Sequence, residues 1–282
     1  MKTIKEIILK ATEFLEQKGI ENPRRQAEEV IGDAIDLKRL QLYMEFDRPL
    51  TEEELNKCRS CLSRRAKGEP PQYIRGFVDF MGCTLKVTSN VLIPRQETEI
   101  LVDLIIHALE KEPLEGKTLW DLCCGSGCIG IALKKRFPEL KVVLSDVSGA
   151  ALNIASENAK TNGVEVSLLQ GNFLEPFHGM ITDYFVCNPP YVSEEEYANL
   201  DKEVKEYEPR LALLAKEDGL EFYRRLANDL PVHLNPSGKT WLEIGYRQGE
   251  AVNSLFSCPP WIKSEWKKDW AGKDRFFFLE IE

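Results

Sequence analysis

The sequence predicts an α/β protein: a doubly wound, mostly parallel sheet that closes on an antiparallel hairpin and is preceded by a small helical bundle. Three observations carry that reading. From residue 117 onward, short apolar runs alternate with segments of helical period, the pattern of strand–helix–strand units. The first 70 residues show no such alternation and repeat their apolar positions at helical spacing. The tail, with Ile262–Trp266 and Arg275–Ile281, reads as two strands joined by a turn.

Taken in order, Ile4, Ile7, Ile8, Ala11, Phe14 and Leu15 share one face of a first helix. Asn22-Pro23 predicts a second helix start, with Asn as N-cap and Pro in the first turn. Ala27, Val30, Ile31 and Ala34 supply its apolar face. Thr51-Glu-Glu-Glu54 is a capping box that opens a third long helix, ended by Lys67-Gly-Glu-Pro-Pro-Gln. Residues 1–71 are therefore expected to form a helical recognition domain without a catalytic constellation. Tyr73–Val87 reads as two short strands with glycine punctuation, which makes 72–93 a β-hairpin linker. Ile93–Glu99 opens a helix with apolar residues at 100, 101, 104, 105, 108 and 109, and 94–282 is the expected catalytic domain.

Within that domain Lys117–Leu122 is a first strand, Lys141–Ser145 a second that ends at Asp146, and Glu165–Leu169 a third. Ser148 caps a helix that stops at Asn162-Gly163. Tyr184–Cys187 is a fourth strand, followed by a polar insertion, a helix near 219–229 and a fifth strand, Lys239–Ile244.

Composition limits the function classes. The net charge is −9, and residues 1–72 contain 14 basic and 14 acidic side chains, so the later part carries all of it. A protein that tracks a nucleic-acid backbone would show a basic face, so direct nucleic-acid binding is not expected. The N-terminus is charged throughout with no hydrophobic signal core, and no apolar run nears the roughly 20 residues of a membrane span. A cytoplasmic protein without membrane contact is expected. The eight cysteines then read as thiols. Cys58-x-x-Cys61 has no matching second pair and falls in register with Leu55 and Leu62, which favours core packing over zinc. No metal is expected.

Two motifs carry chemistry. Asp121-Leu-Cys-Cys-Gly125-Ser-Gly127-Cys-Ile-Gly130 lies between the first strand and its helix, with Asp146 ending the next strand. Glycines admit a nucleotide-type ligand close to the backbone, and the acid accepts ribose hydroxyls. A dinucleotide enzyme fits this motif as well. The second motif is Asn188-Pro189-Pro190-Tyr191 at the exit of the fourth strand. Asn188 and Pro189 each precede a proline and are pushed to extended geometry. The prolines have no N–H, so the Asn188 side-chain oxygen and the 188 and 189 carbonyls are left as fixed acceptors. That suits a planar NH2 group. In an open sheet both motifs would face the crevice at the switch point, which fits amino-group methylation from S-adenosylmethionine. Hydride transfer would leave the Asn-Pro-Pro-Tyr element without a task.

The chain resembles the HemK/PrmC family of bacterial protein-(glutamine-N5) methyltransferases, which modify the Gly-Gly-Gln loop of class 1 peptide-chain release factors. Beyond Asn188–Tyr191, the resemblance rests on Val91–Glu99, Tyr207–Leu213, Glu217–Arg225 and Leu242–Tyr246. It implies a class I, Rossmann-like, S-adenosylmethionine-dependent methyltransferase with a seven-stranded sheet. It also implies that Cys123, Cys124, Gly125, Ser126 and Gly127 line the methionine and ribose end of the cofactor. Asp146 would hold the ribose, and Asn172 with Phe173 would frame the adenine. Asn188 would touch both cofactor and substrate, Asn188 and Pro189 would bind the substrate amide beside Pro190, and Tyr191 would wall its slot. The family usually has Gly-Thr at 123–124, Asp at 172 and Pro at 96, where this chain has Cys-Cys, Asn and Gln.

Alternatives within this reading are a glutamine methyltransferase of a ribosomal protein and an adenine-N6 DNA methyltransferase. The latter needs a basic groove and a sizeable target-recognition domain, neither of which is visible. A non-catalytic S-adenosylmethionine-binding regulator is a third reading, disfavoured because both motifs are intact. Residues 194–208 hold seven acidic and two basic side chains, read as a solvated face or as a strip that docks a basic protein surface. His107, His178 and His233 share no motif and are expected to have no catalytic part.

Overall fold

The computed structural model describes residues 2–216 and 218–282. The chain separates into two compact units, Met1–Phe77 with Asp201–Tyr207, and Val78–Leu200 with Glu208–Glu282.

The first unit begins with α1 (Ile4–Gln17), α2 (Pro23–Ala34), α3 (Arg39–Met44), α4 (Glu52–Arg65) and α5 (Pro71–Arg75). Capping boxes start α1 and α4: Thr3 pairs with Glu6, and Thr51 with Glu54. Asn22 departs from expectation. It holds the N-cap position of α2 in a left-handed conformation (φ 51°) and makes no side-chain cap, so Pro23 alone sets the start. Ile4, Ile8, Leu15, Ile31, Leu42 and Leu55 close the core. Cys58 is buried there, and burial pushes its thiol up to about 11, as for an inert packing residue. Glu28 is buried in this unit and takes hydrogen bonds from Arg24, Arg39 and Tyr43.

The hairpin of β1 (Phe77–Phe80) and β2 (Cys83–Lys86) follows. The expected boundary at 71/72 falls inside α5, and the hairpin from Val78 onward counts with the second unit. Its attachment is visible. Asn158 Oδ1 accepts the Lys86 N–H at 2.7 Å, and its Nδ2 donates to Lys86 O and to Ser126 O. Asn162 brackets Thr84 in the same way.

The second unit continues with α6 (Gln96–Leu109), β3 (Thr118–Leu122), α7 (Cys128–Arg136), β4 (Lys141–Asp146), α8 (Gly149–Thr161), β5 (Ser167–Gln170) and β6 (Thr182–Cys187). Ser148 caps α8, its hydroxyl accepting the Ala151 N–H. After α9 (Glu194–Ala198) the chain supplies α10 (Lys202–Tyr207) to the first unit, where Glu203 pairs with Arg65 at 2.7 Å and the Tyr207 hydroxyl donates to Lys67 O. Then come α11 (Arg210–Leu213), α12 (Glu221–Asp229), β7 (Leu234–Glu243), α13 (Gly249–Leu255), β8 (Trp261–Lys268) and β9 (Asp274–Ile281).

Seven strands form one sheet in the order β5-β4-β3-β6-β7-β9-β8, parallel from β5 to β7 and antiparallel at β9 and β8. Helices cover both faces, and alternation along the strands divides the core. Leu119, Tyr184, Val186, Trp241, Phe276 and Phe278 pack with α6 and α7 residues on one face. Trp120, Phe185, Cys187, Leu242, Phe277 and Leu279 pack with Tyr223, Leu226 and Val252 on the other. Each fully buried Phe contributes about 1.5–3 kcal/mol, so the central strands are fixed before the loops at their ends are considered. Among the described residues no helix is long and apolar enough to cross a membrane.

Candidate active site

The strand order reverses between β3 and β6: β4 and β5 lie beyond β3, and β7, β9 and β8 lie beyond β6. Leu122 is paired in register with Cys187, so the loop from Cys123 and the turn from Asn188 leave the sheet side by side at its carboxyl edge. This is the switch-point crevice where open α/β sheets hold ligands. A cavity of about 230 Å³ opens there. Of the expected residues, Cys123, Cys124, Gly125, Ser126, Asp146, Asn172, Phe173, Asn188 and Pro190 line it.

Gly127, Pro189 and Tyr191 are not among the lining residues. For Gly127 the reason is steric. A Cβ at 127 would come within 2.9 Å of Ile131 and 3.1 Å of Leu144, so this glycine lets the loop pack on its own helix and strand. Gly125 is the one that opens to the cavity, since it lines it and a Cβ there meets nothing within 4 Å. Cys123 adopts φ 55°, in the left-handed region that favours glycine.

Two carboxylates fix the glycine loop. Asp146 accepts the Gly125 N–H through Oδ2 and the Ser148 N–H through Oδ1, both at 2.9 Å. Burial pushes its pKa up in spite of those bonds. Asp121 lies beneath the loop, wholly buried. Its Oδ2 accepts the Gly130 N–H at 2.8 Å and its Oδ1 has no partner. Burial pushes its carboxyl up to about 7.

On the wall expected to frame the adenine, the structure changes the expectation for Asn172. Its Oδ1 already accepts two N–H groups from Arg225, each at 3.3 Å, and its Nδ2 donates to Glu175. The Arg225 guanidinium also lies 4.4 Å over the Phe173 ring. Asn172 therefore faces the cavity with its oxygen engaged, and Arg225, which the sequence reading left without a role, organises this wall with Phe222.

At the exit of β6, Asn188 Nδ2 donates to Thr98 Oγ1 at 3.5 Å, and Thr98 donates to Glu243 Oε2 at 2.7 Å. The Tyr191 hydroxyl donates to Glu243 Oε1 at 3.2 Å and receives Arg275 Nη1 at 3.3 Å. Tyr191 thus faces the protein interior rather than this cavity. Glu243 is buried, which raises its pKa against the bonds from Thr98 and Tyr191. Gln248 ties off the turn by donating to Tyr191 O and Gly219 O while accepting the Gly245 N–H. Gly219 has to be glycine: its φ is +84° and a Cβ would sit 2.5 Å from Tyr191 O.

Three of the segments that carry the resemblance thus converge on Asn188–Tyr191, through Thr98, Gly219 and Glu243. Sequence reasoning quoted them without assigning a role. The available signal was an acid at the carboxyl end of an apolar strand, Glu243, where burial without a partner would be costly.

The acidic stretch 194–208 is largely committed to structure. Glu196 completes a capping box with Ser193, Glu194 pairs with Arg210, and Glu203 pairs with Arg65. Buried Glu208 accepts the Ile93 N–H and pairs with Arg95, which joins two segments of the cavity wall. Only Glu203 and Glu208 lose their exposure; Glu194, Glu195, Glu196, Asp201 and Glu206 remain exposed.

Comparison with known proteins agrees with this architecture. Residues 6–76 match the model of the PrmC N-terminal domain, and residues 94–206 match that of the methyltransferase small domain. A release factor glutamine methyltransferase of Chlamydia trachomatis serovar L2 is 43% identical over 278 residues, 98% of this chain and 94% of the relative. Its counterpart in Geobacter sulfurreducens is 40% identical over 273 residues, 97% of this chain and 95% of the relative. A methyltransferase structure from Pyrococcus furiosus, 17% identical with a TM-score of 0.50, covers 71% of this chain and 89% of that one and shares the fold. With identity of this level sustained along nearly its whole length, the chain belongs to the release factor glutamine methyltransferase family.

Proposed function

We propose that the protein transfers a methyl group from S-adenosylmethionine to the side-chain amide nitrogen, N5, of the glutamine in the Gly-Gly-Gln loop of class 1 peptide-chain release factors, acting in the cytoplasm. One observation carries this reading. Asn188 shares a cavity with the glycine loop and turns its Nδ2 toward Thr98, and among the described residues no donor reaches its Oδ1. An acceptor is thereby presented beside the cofactor loop.

The residues present suit that cofactor. Asp146 lines the cavity, and Arg95, the one basic side chain among the lining residues, is paired with Glu208. Such a wall favours a cationic sulfonium and ammonium over the pyrophosphate of a dinucleotide. Gly125 would admit the methionine portion, Asp146 the ribose, and Phe173 with Asn172 the adenine. When bound, the cofactor supplies an activated methyl on a positively charged sulfur.

The chain's own work is positioning. The lone pair of an amide nitrogen is delocalised into its carbonyl and makes a poor nucleophile. Asn188, which lines the cavity, accepts one N–H bond of the substrate amide through Oδ1, and the Pro189 carbonyl, behind the lining residues, is the second acceptor that the resemblance implies. They hold the nitrogen in line with the methyl and stabilise the positive charge that grows on it. Asp146 is the one carboxylate among the lining residues and is held by two backbone amides, so the surplus proton leaves to water after transfer. The helical first unit supplies recognition of the protein substrate.

The test is incubation with labelled S-adenosylmethionine and a purified release factor, with a Gln→Ala change in the Gly-Gly-Gln loop as control. Label on the wild-type loop alone, located by mass analysis at the glutamine amide, supports the proposal. Cofactor binding without label on that loop sinks it.

A further inference from the structure

An asparagine amide is nearly symmetric in shape, and rotating it by half a turn exchanges an acceptor for a donor at almost no steric cost. The proposed reaction needs the acceptor. A flipped Asn188 would point N–H at N–H and oppose the positive charge that grows on the nitrogen in the transition state. Some feature of the protein has to choose between the two orientations.

We infer that Thr98 and Glu243 form a positioning relay that fixes the Asn188 amide with its oxygen toward the substrate. The inference rests on the reading of Asn188 as the substrate acceptor. Thr98 has one hydroxyl proton, and Glu243 Oε2 takes it at 2.7 Å. Toward Asn188 the Thr98 oxygen can then only accept, and what it accepts is Nδ2. The other carboxylate oxygen is closed by Tyr191, whose hydroxyl oxygen in turn accepts from Arg275.

Every proton in the network points at Glu243. Asn188 donates to Thr98 and Thr98 to Glu243 from one side, while Arg275 donates to Tyr191 and Tyr191 to Glu243 from the other. The carboxylate acts as a sink that forbids reversal, because an acceptor-only group cannot return a proton to Thr98. The Tyr223 hydroxyl donates to the Glu243 carbonyl at 2.9 Å, which fixes the strand end that carries the sink. The relay links α6, β7 and the exit of β6, three separate parts of the chain. Thr98 and Glu243 are positioning residues in this account, since they act through Asn188.

The experiment compares wild type, Thr98→Val, Thr98→Ser and Glu243→Gln on the intact release factor, recording kcat, KM and the cofactor Kd. Valine keeps the shape of threonine and removes the hydroxyl. Glutamine can donate to Thr98, which frees the Thr98 proton to turn toward Asn188 and select the wrong orientation. Thr98→Val and Glu243→Gln are expected to lower kcat by about tenfold or more, the size of one lost polar contact in the transition state. KM and cofactor Kd should stay within about threefold, as for an effect confined to the transition state. Thr98→Ser should restore kcat to within about threefold of wild type, because it keeps the hydroxyl. A merely structural threonine would be served better by valine than by serine, so the opposite ranking overturns the relay. Should Thr98→Val unfold, wild-type kcat in Glu243→Gln overturns it independently. An active wild type with an indifferent Thr98→Val rejects the relay alone. A wild type that binds cofactor but leaves the Gly-Gly-Gln glutamine unmodified rejects the substrate reading and the relay with it.

Discussion

Asp146 holds Gly125, its Oδ2 accepting the Gly125 N–H at 2.9 Å, so the acid ending β4 fixes the loop that ends β3. Its other oxygen takes the Ser148 N–H at the start of α8. An asparagine has one acceptor oxygen and cannot serve both amides. Asp146→Asn is therefore expected to raise the Kd for S-adenosylhomocysteine by about tenfold or more, a loss of about 1.4 kcal/mol. Turnover at saturating cofactor should change by less than about threefold, because the substrate acceptors lie on a different strand end. Calorimetric titration with a parallel rate measurement checks this. Unaltered affinity would remove Asp146 from the cofactor site.

Cys123 carries a side chain through left-handed backbone at φ 55°. That conformation costs an L-residue about 1–2 kcal/mol relative to glycine. The thiol recovers part of the cost by packing against the second core face. Replacing Cys123 by Gly removes the strain, and replacing it by Ala keeps the strain and discards the packing. The expected order of thermal stability is Gly above Cys above Ala, with Gly raising Tm by about 2 °C. A scan of the three proteins that placed Ala highest would mean that the strain is relaxed by another route.

Much of the sheet was legible because its signals are local. Apolar runs marked the strands, Ser148 and Asn162-Gly163 marked the ends of α8, and the placement of the two motifs at a switch point followed from strand alternation alone. The short helices were not legible. α3, α5 and α11 span 6, 5 and 4 residues, too few to show a period. Within the site, the sequence pointed to most of the expected residues that line the cavity but not to those behind them. Thr98, Glu243 and Arg225 act through partners 90, 145 and 53 residues distant along the chain, and no window along the sequence contains such a pair. Gly127 is placed at the cofactor by the resemblance, and the neighbours of a hypothetical Cβ add a packing role that no spacing reveals.

Asp121 makes the stability of the fold depend on pH. Burial first, and then the neighbouring Asp146 charge, push its carboxyl up to about 7 against the one bond from Gly130. In the unfolded chain it would titrate near its ordinary value of about 4. The folded protein thus keeps a proton that the unfolded chain releases, so this group's contribution is present below about 4 and is lost as pH rises through about 7. Asp121→Asn keeps an oxygen for the Gly130 N–H and abolishes the titration. The Tm of the variant relative to wild type should therefore climb from pH 5 to about pH 7 and level off above it. A gap that stays flat across that range would show that Asp121 is ionised throughout.

Glu28 predicts the reverse slope in the first unit. Its burial raises the pKa, but hydrogen bonds from Arg24, Tyr43 and Arg39 outweigh the burial and hold the carboxyl below its ordinary value. Stability from this group is present above the unfolded pKa of about 4 and is lost as pH falls through the folded value. The Glu28 side chain has no exposed surface, while those of Arg24 and Arg39 are 43% and 65% exposed. Removing its charge therefore strands no buried cation, and the cost of Glu28→Gln should be about 1–2 kcal/mol rather than that of a sealed ion pair. Native-state hydrogen exchange at pH 7 should show faster exchange in α2 and α3, which carry Glu28 and its three partners, with β3 to β7 unchanged. At pH 3 the difference from wild type should shrink. Equal loss of protection in both units would mean that Glu28 supports the whole chain rather than the helical unit alone.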